Sequence, residues 1–453
     1  MSPNAETSLT TRFVIAACVP VDQWHASGTL DEANTLLATN PEIGTADIYT
    51  ASILGDDATV RALLAENLSA ATAKGGPHNW APLTYLCFSR YLRLDSDRSP
   101  GFVSAATSLL DAGGDPNGGW FEPAHQPSPT WESVLYGAAG VARNPGVTRL
   151  LMERGANPND DEVPYHAPET YDNTCLEILV NSGKLNADSL NMILLRKTDW
   201  HDEKAIRWLL ERGVDPNRRS HWGHTAIHGA VRSDNALAIV EQLIDHGADA
   251  KFVVDGKSAV ALAARRGRRD LLEFFEKRGI IVELSPLERL IAACARDNET
   301  EIATILNGDP ALASELRTGG GALLSAFATN ANALGATRLL ALGVPVDELF
   351  VEGSGYHGEA ARSTALHAAA WHGRHEVVRL LVEHGANVNA RDGRGRTPLM
   401  LAVSAAVDSY WTYRKGPESV AALLAAGAAP DGIHFPTGYD EMDVLLRPHV
   451  SET

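Results

Sequence analysis

Cysteine is scarce in this chain, with only four residues among 453, at Cys18, Cys87, Cys175 and Cys294. Four scattered thiols are too few for a disulfide framework, and none of them forms the CxxC pair of a common zinc site. A reducing compartment suits such a chain best. We therefore expect a cytoplasmic protein.

Positive charge and long apolar runs are also in short supply. Lys and Arg number 39 against 57 Asp and Glu, a formal net charge of −18. Nucleic acids and anionic membranes are bound through clustered basic residues, so neither is an expected partner. Because no apolar run approaches the roughly 18 to 20 residues of a spanning helix, we expect no membrane segment.

The N-terminal run from Phe13 to Cys18 ends like a bacterial lipid-attachment site, but its apolar stretch is short and a close copy recurs at 289–294. An internal copy cannot be a leader peptide. The run therefore indicates a helix of an internal repeat.

The strongest signal is a recurring helix end, two apolar residues followed within five positions by glycine. Glycine ends a helix in the left-handed conformation without a steric penalty, and the apolar pair before it faces the core. Nine such glycines occur, at Gly113, Gly155, Gly183, Gly213, Gly247, Gly279, Gly343, Gly385 and Gly427. Three weaker ends carry Asn40, Asn67 and Asp309, which can adopt the same conformation. Twelve ends predict about twelve repeats.

Spacing between ends is mostly near 30 residues and stretches where loop-forming residues accumulate, at 91–101, 119–129, 351–362 and 408–418. We interpret these four segments as insertions rather than extra structural elements.

The best repeat unit is residues 364–390, TALHAAAWHGRHEVVRLLVEHGANVNA. It resembles the ankyrin repeat, with a TPLH-like helix start, an EVVxLLL second helix and GAxxN leading into a hairpin. The resemblance implies an all-α solenoid of about twelve stacked helix-turn-helix units with hairpin loops, in one elongated array capped at both ends. Its strength varies along the chain and suggests degenerate N-terminal repeats in 1–204, better-matched repeats in 205–431 and a capping tail in 432–453.

Each predicted helix is only about 8 to 10 residues long and is too short to be stable alone, so neighbouring units must stack. In the second helix of the best unit the apolar residues leave little polar face. Truncating Leu380 there is expected to cost about 2 to 5 kcal/mol.

Two groups of histidines invite a metal interpretation: His221, His224 and His228, and then His367, His372 and His375. Neither group has a cysteine or a carboxylate pair at usual ligand spacing, so no metal is expected. By the resemblance, His228 and His367 occupy the last place of the TPLH-like motif, where the imidazole bonds backbone between repeats.

Several of the nine tryptophans, Trp80, Trp120, Trp222 and Trp371, fall where the resemblance places hairpin tips or the open end of a first helix. In the ankyrin family these positions line the concave face and vary with the partner, and tryptophan is common in interface hot spots. The alternative is that some of them fill gaps between irregular repeats.

The sequence shows no catalytic motif and no cofactor motif, so we predict a non-enzymatic scaffold without a cofactor that binds another protein, as a monomer, through its concave face. The expected contact residues are Trp222, His224, Arg232, Arg265, Arg266, Trp371, His372, Arg394 and Arg396. Two alternatives stay open. One is a secreted effector or toxin-neutralising protein with the same fold, and the other is a metal-dependent protein or enzyme that uses the clustered histidines or an insertion.

Overall fold

A computed structural model describes residues 8–21, 24–126, 128–355, 358–407 and 416–449. The chain divides into two compact units, residues 1–222 and residues 223–453. The predicted division at 204/205 concerns the quality of the repeats rather than compactness, and it stays a prediction.

The N-terminal unit is built from short helices. Its α-helices are Leu9–Ala17, Asp31–Thr39, Ile48–Leu54, Asp57–Glu66, Pro82–Cys87, Arg90–Leu94, Ser99–Asp111, Val134–Tyr136, Pro145–Glu153, Glu162–His166, Thr174–Asn181, Ala187–Asp199 and Glu203–Glu211. Short 3-10 helices occupy Pro41–Thr45, Leu68–Ala71 and Ser96–Arg98, and a π-helical turn occupies Gly137–Val141. Two antiparallel strands, Gly119–Glu122 and Thr130–Ser133, form a hairpin.

The C-terminal unit repeats helix pairs more regularly. Its α-helices are Ala226–Arg232, Leu237–Asp245, Ala259–Arg265, Arg269–Lys277, Pro286–Ala295, Glu299–Gly308, Leu312–Arg317, Gly320–Thr329, Ala333–Ala341, Ala365–Trp371, His375–Glu383, Pro398–Val407, Glu418–Ala425 and Asp440–Leu446. A small hairpin pairs Val253–Val254 with Lys257–Ser258. The all-α prediction is confirmed, whereas the number of twelve repeats stays a prediction.

Stacking in the C-terminal unit joins like helices of successive pairs. First helices of neighbouring pairs pack together, as Ala226–Arg232 does with Ala259–Arg265, and Ala365–Trp371 does with Pro398–Val407. The second helix His375–Glu383 packs against both Ala333–Ala341 and Glu418–Ala425. Helices of this length gain from such neighbours the stability that they lack in isolation.

The predicted glycine helix ends are confirmed. All nine glycines have positive φ, between +67° at Gly183 and Gly279 and +97° at Gly113. At Gly385, for example, φ is +81°, a conformation that residues with a Cβ adopt only under strain.

The three weaker ends are different, and the prediction of a left-handed residue there was wrong. Helices do end at Asn40, Asn67 and Asp309, but the φ angles are −139°, −148° and −147°, so the backbone is extended. In each case the chain leaves the helix directly, and no residue reverses into the left-handed region.

The insertions also contain helical or strand elements, which corrects the prediction that they add no structural elements. Segment 91–101 contains most of a short helix and a 3-10 turn, and segment 119–129 contributes the first strand of the N-terminal hairpin. In 351–362 an isolated bridge links Ser354 to Glu359. Most of segment 408–418 lies outside the described residues.

In helix His375–Glu383, the side chain of Leu380 is less buried than the sequence led us to expect. Val377, Val378 and Leu381 are buried with no exposed surface, whereas Leu380 is half-buried. The enclosed leucine of this helix is therefore Leu381 rather than Leu380, and Leu381 is the side chain whose truncation leaves a closed cavity.

None of the helices in the described ranges combines the length and the apolar character needed to cross a bilayer.

Candidate functional site

Three of the predicted contact residues occupy the same place in three helix pairs of the C-terminal unit. Arg232, Arg265 and Trp371 are each the last residue of a first helix, in Ala226–Arg232, Ala259–Arg265 and Ala365–Trp371. Each of them is partly exposed, as is Arg266, which follows Arg265. The repeat geometry thus presents long or flat side chains at equivalent positions of one unit.

His224 lies beside one of these helix ends. Its Nε2 atom is 3.4 Å from Nη1 of Arg232. Burial and the neighbouring Arg232 charge lower the pKa of His224, with Asp255 acting in the opposite direction. We therefore expect a neutral imidazole next to a guanidinium at neutral pH.

Trp371 and Arg396 meet at a shared backbone segment. A guanidinium nitrogen of Arg396 lies 3.4 Å from the carbonyl oxygen of Gly358, and the indole of Trp371 packs so closely on Gly358 that a Cβ there would lie 2.8 Å from Nε1. Arg396 also binds Asp392 at 2.9 Å, and Arg394 is exposed in the same turn. The structure brings these side chains together at the turn before helix Pro398–Val407.

The arginine run 265–269 is tied largely to neighbouring carboxylates. Arg268 is buried and lies 2.7 Å from Asp270 and 3.3 Å from Asp234, and Arg269 lies 2.7 Å from Glu273. Arg265 is 3.4 Å from Glu288. Arg268 is therefore structural, whereas Arg265 stays at the surface.

His372 is the exception among the predicted contact residues, and the structure corrects its place. Its side chain is only 3% exposed, and Nε2 lies 3.4 Å from Oε1 of Glu359, which also accepts a 2.7 Å hydrogen bond from Thr329. Burial lowers the pKa of His372. With 3% of its side chain exposed, His372 offers almost no surface to a partner protein.

Trp222 is the last residue of the N-terminal unit rather than part of the C-terminal array. Its side chain is 47% exposed, and its ring centroid lies 6.0 Å from that of Tyr165 and 3.8 Å from that of His221. Trp80 and Trp120 are buried, with ring centroids 5.1 Å apart, and fill the core instead of lining a surface.

The two histidine groups do not assemble around a common centre. His367 bonds the backbone between repeats, with Nε2 3.1 Å from the carbonyl oxygens of Ala390 and Arg396. His375 lies 2.6 Å from the hydroxyl of Ser419. The predicted interrepeat role of His367 is thus observed directly.

A second candidate site, which the sequence did not reveal, lies in the N-terminal unit under the hairpin formed by Gly119–Glu122 and Thr130–Ser133. Trp120 and Glu122 point to one face of the hairpin, and Glu132 faces Trp120 across the strands, so all three side chains share the buried face. Phe121 and Trp131 form a cross-strand pair on the exposed face, at 57% and 44% exposure.

Other elements add titratable groups beneath this hairpin. His25 precedes helix Asp31–Thr39, and its Nε2 lies 3.4 Å from Oε2 of Glu122. Glu162 begins helix Glu162–His166 and lies 3.2 Å from Nε2 of His166. His125, from the hairpin loop, has Nε2 3.9 Å from Oε1 of Glu162. We call His25, Glu122, His125, Glu132 and Glu162 the hairpin cluster.

Burial and mutual repulsion perturb the pKa values in and around the hairpin cluster. Burial, followed by the charges of Glu162 and Glu122, raises the pKa of Glu132. Burial lowers the pKa of His25 to about 4. For His166, burial alone would lower the pKa, but hydrogen bonds with Glu162 and Glu169 prevail and raise it to about 9.

The possible metal ligands form two sets. Ligand atoms of His25, Glu122 and Glu132 lie within 4.8 Å of one another, and the same holds for His125, Glu132 and Glu162. No spacing rule could have found them, because the five residues come from three segments, with 97 positions from His25 to Glu122 and 30 from Glu132 to Glu162. The available signal was weak: one glutamate and one histidine inside an insertion, with a second glutamate shortly after it.

The C-terminal unit is thus an array of stacked helix pairs joined by turns, which is the architecture of a helical repeat protein. The family described as "Ankyrin repeats (3 copies)" matches residues 194–284 and 324–431. These two ranges of the chain carry ankyrin repeats.

The curated relatives are much longer than the aligned part. The human transient receptor potential cation channel subfamily A member 1 is 22% identical over 300 residues, which cover 62% of this chain and 23% of the relative. Human Rabankyrin-5 is 56% identical over 41 residues, which cover 9% of this chain and 4% of the relative. This chain therefore spans less than a quarter of each relative's length.

Among solved structures, the ankyrin repeat domain of human ASB11 is 23% identical with a TM-score of 0.23, over 58% of this chain and 96% of that domain.

Proposed function

We propose that the C-terminal unit binds another protein through the surface that carries His224, Arg232, Arg265, Arg266, Trp371, Arg394 and Arg396. Ankyrin repeats are generally protein-interaction modules. The observation that carries the proposal is the recurrence of Arg232, Arg265 and Trp371 at the same helix end in three pairs.

Chemistry at this surface favours an acidic partner segment. Guanidinium groups form bidentate hydrogen bonds with carboxylates, and a tryptophan contributes a large rigid area that loses water on binding. Arg265 and Arg396 are held by Glu288 and Asp392, which orients their guanidinium groups before a partner arrives. Ordered side chains lose less entropy on association.

We propose that the chain acts as a non-catalytic scaffold, which is monomeric and cytoplasmic and binds neither nucleic acid nor membrane. The net charge of −18 supports the last two points, since those ligands are bound by clustered basic residues. The better match of residues 205–431 to the repeat pattern supports placing the binding surface there, with 432–453 as a capping tail.

The test uses the full chain and a triple variant, Arg265→Ala, Trp371→Ala and Arg394→Ala. A matched control changes three exposed residues of the same types in the N-terminal unit, Trp24→Ala, Arg61→Ala and Arg207→Ala. Circular dichroism first establishes that both variants fold.

Partners captured by the unaltered chain are identified by mass spectrometry and purified for titration calorimetry. We expect the triple variant to bind a purified partner roughly thirtyfold or more weakly, as loss of a hot spot of 2 kcal/mol or more implies. The control variant should bind as the unaltered chain does. Equal weakening in both variants, or none in the triple variant, would place the binding surface elsewhere.

A further inference from the structure

The hairpin cluster contains a buried carboxyl group whose oxygens lack hydrogen-bond partners. Glu132 has no exposed surface, and neither of its side-chain oxygens accepts a hydrogen bond from the described residues. Buried carboxylates ordinarily accept hydrogen bonds or coordinate a cation, since leaving them without either is unfavourable. Glu132 also lies with Glu122 and Glu162 close by, so carboxyl groups concentrate around one small volume.

The histidines of the cluster are oriented as metal-binding histidines are. Nδ1 of His125 lies 3.0 Å from the carbonyl oxygen of Ser128, which can only accept, so Nδ1 carries the hydrogen. In neutral His125 the lone pair of Nε2 then faces Glu162. Nδ1 of His25 lies 3.0 Å from the hydroxyl of Tyr136, and its Nε2 faces Glu122 without a hydrogen bond. A hydrogen bond at one nitrogen that directs the other to a metal is the usual arrangement.

Distances in the cluster fit a first-row transition metal. Two atoms that each lie about 2.1 Å from a tetrahedral zinc ion are about 3.4 Å apart. Nε2 of His25 and Oε2 of Glu122 are 3.4 Å apart. The remaining ligand atoms, all within 4.8 Å of one another in each set, need to approach by at most about 1.4 Å to reach this separation.

We propose that the hairpin cluster is a binding site for a divalent transition metal ion of the zinc class, with Glu132 as the shared ligand of its two sets. One set is His25, Glu122 and Glu132, and the other is His125, Glu132 and Glu162. Mixed imidazole and carboxylate ligands suit zinc, manganese or iron, whereas magnesium and calcium prefer oxygen alone.

Metal bound in the two sets, which share Glu132, joins three parts of the unit. His25 comes from the segment before helix Asp31–Thr39, Glu122, His125 and Glu132 come from the hairpin, and Glu162 comes from the helix that packs on its second strand. Half-buried His125, with 27% of its side chain exposed, gives the ion a path from solvent. The role is structural, since the ion holds the hairpin that presents Phe121 and Trp131 to solvent.

A proton is the competing occupant. Glu132 in its neutral form could donate a hydrogen bond to Glu122, which would relieve the repulsion of two adjacent carboxylates without any metal. Metal titration separates the two cases, because a proton-sharing pair has no preference for zinc.

The full chain, stripped with a chelator and dialysed, is titrated with zinc chloride by calorimetry at neutral pH, and bound zinc is measured by mass spectrometry. The variants are Glu132→Gln and His25→Asn, with Glu211→Gln and His246→Asn as controls at exposed positions. Glu132→Gln keeps the shape of the side chain, which guards against simple misfolding.

We expect one or two zinc ions per chain and a rise in melting temperature with zinc. Glu132→Gln and His25→Asn should weaken zinc binding by at least the roughly tenfold loss that removing an outer-shell partner causes, with both controls unchanged. X-ray absorption should show nitrogen and oxygen ligands near 2.0–2.2 Å. Absence of stoichiometric zinc, unaltered affinity in Glu132→Gln, or sulfur ligands would each overturn the proposal.

Discussion

Two adjacent leucines of the second helix His375–Glu383 test how the array is held together. Leu381 has no exposed surface, whereas Leu380 is half-buried. The helix packs between Ala333–Ala341 and Glu418–Ala425, so a cavity at Leu381 opens between three helices. Replacing each leucine by alanine removes the same atoms and changes helix propensity equally, and only burial differs.

The expected loss in the free energy of unfolding follows from the number of buried atoms that each substitution removes. Leu381→Ala takes three carbon atoms out of the core, at about 0.8 kcal/mol each, and the remaining cavity raises the total to about 3 to 5 kcal/mol. Leu380→Ala loses roughly half of the transfer contribution and leaves no closed cavity, so we expect about 1 kcal/mol.

Urea unfolding followed by far-ultraviolet circular dichroism measures both variants against the unaltered chain. Repeat arrays can unfold in steps, so hydrogen exchange of the amides in His375–Glu383 serves as a local second readout. A loss for Leu380→Ala equal to or larger than that for Leu381→Ala would refute the packing described here.

Two further predictions concern one backbone position and one buried charge. Gly267 and Gly279 have nearly equal φ angles, +65° and +67°, but a Cβ at Gly267 would lie 2.6 Å from Phe327, whereas Gly279 has open space. Gly279→Ala should therefore cost about 1 kcal/mol for backbone strain, and Gly267→Ala clearly more, by denaturant unfolding; equal losses would contradict this. In metal-free protein with chelator present, the raised pKa of Glu132 means that the folded state holds its proton more tightly than the unfolded state, whose pKa is near 4.5. Its contribution to stability is complete below pH 4.5 and is lost as pH rises toward the raised value, by up to about 1.4 kcal/mol per pH unit. The free energy of unfolding of the unaltered chain relative to Glu132→Gln should fall between pH 5 and 8, and a difference that rises or stays constant would argue against a buried, protonated Glu132.

Agreement between sequence and structure is closest where local chemistry decides the conformation. Gly385 terminates its helix with a positive φ because glycine alone reaches that region without strain, and the same reasoning applied to Asn40 failed. Asparagine can adopt the left-handed region but is not driven to it, so the extended backbone at Asn40 depends on where the following chain must go.

The exposure of individual side chains was harder to predict from the sequence than the backbone conformation at the glycine helix ends. His372 and Trp371 are neighbours near the end of one helix, yet one is buried against Glu359 and the other is partly exposed. A one-residue step along a helix rotates the side chain by about 100°, so a small error in register exchanges interior and surface.

The sequence by itself determined the ankyrin repeat pattern, the all-α class and the positions of the glycine helix ends, because these depend on residues near one another in the chain. Only the tertiary structure decided that Leu381 rather than Leu380 is enclosed, and that Glu132 lies beside His25 and Glu162. Those neighbours come from distant segments, and their proximity follows from how helices and hairpin pack within each unit rather than from any spacing in the chain.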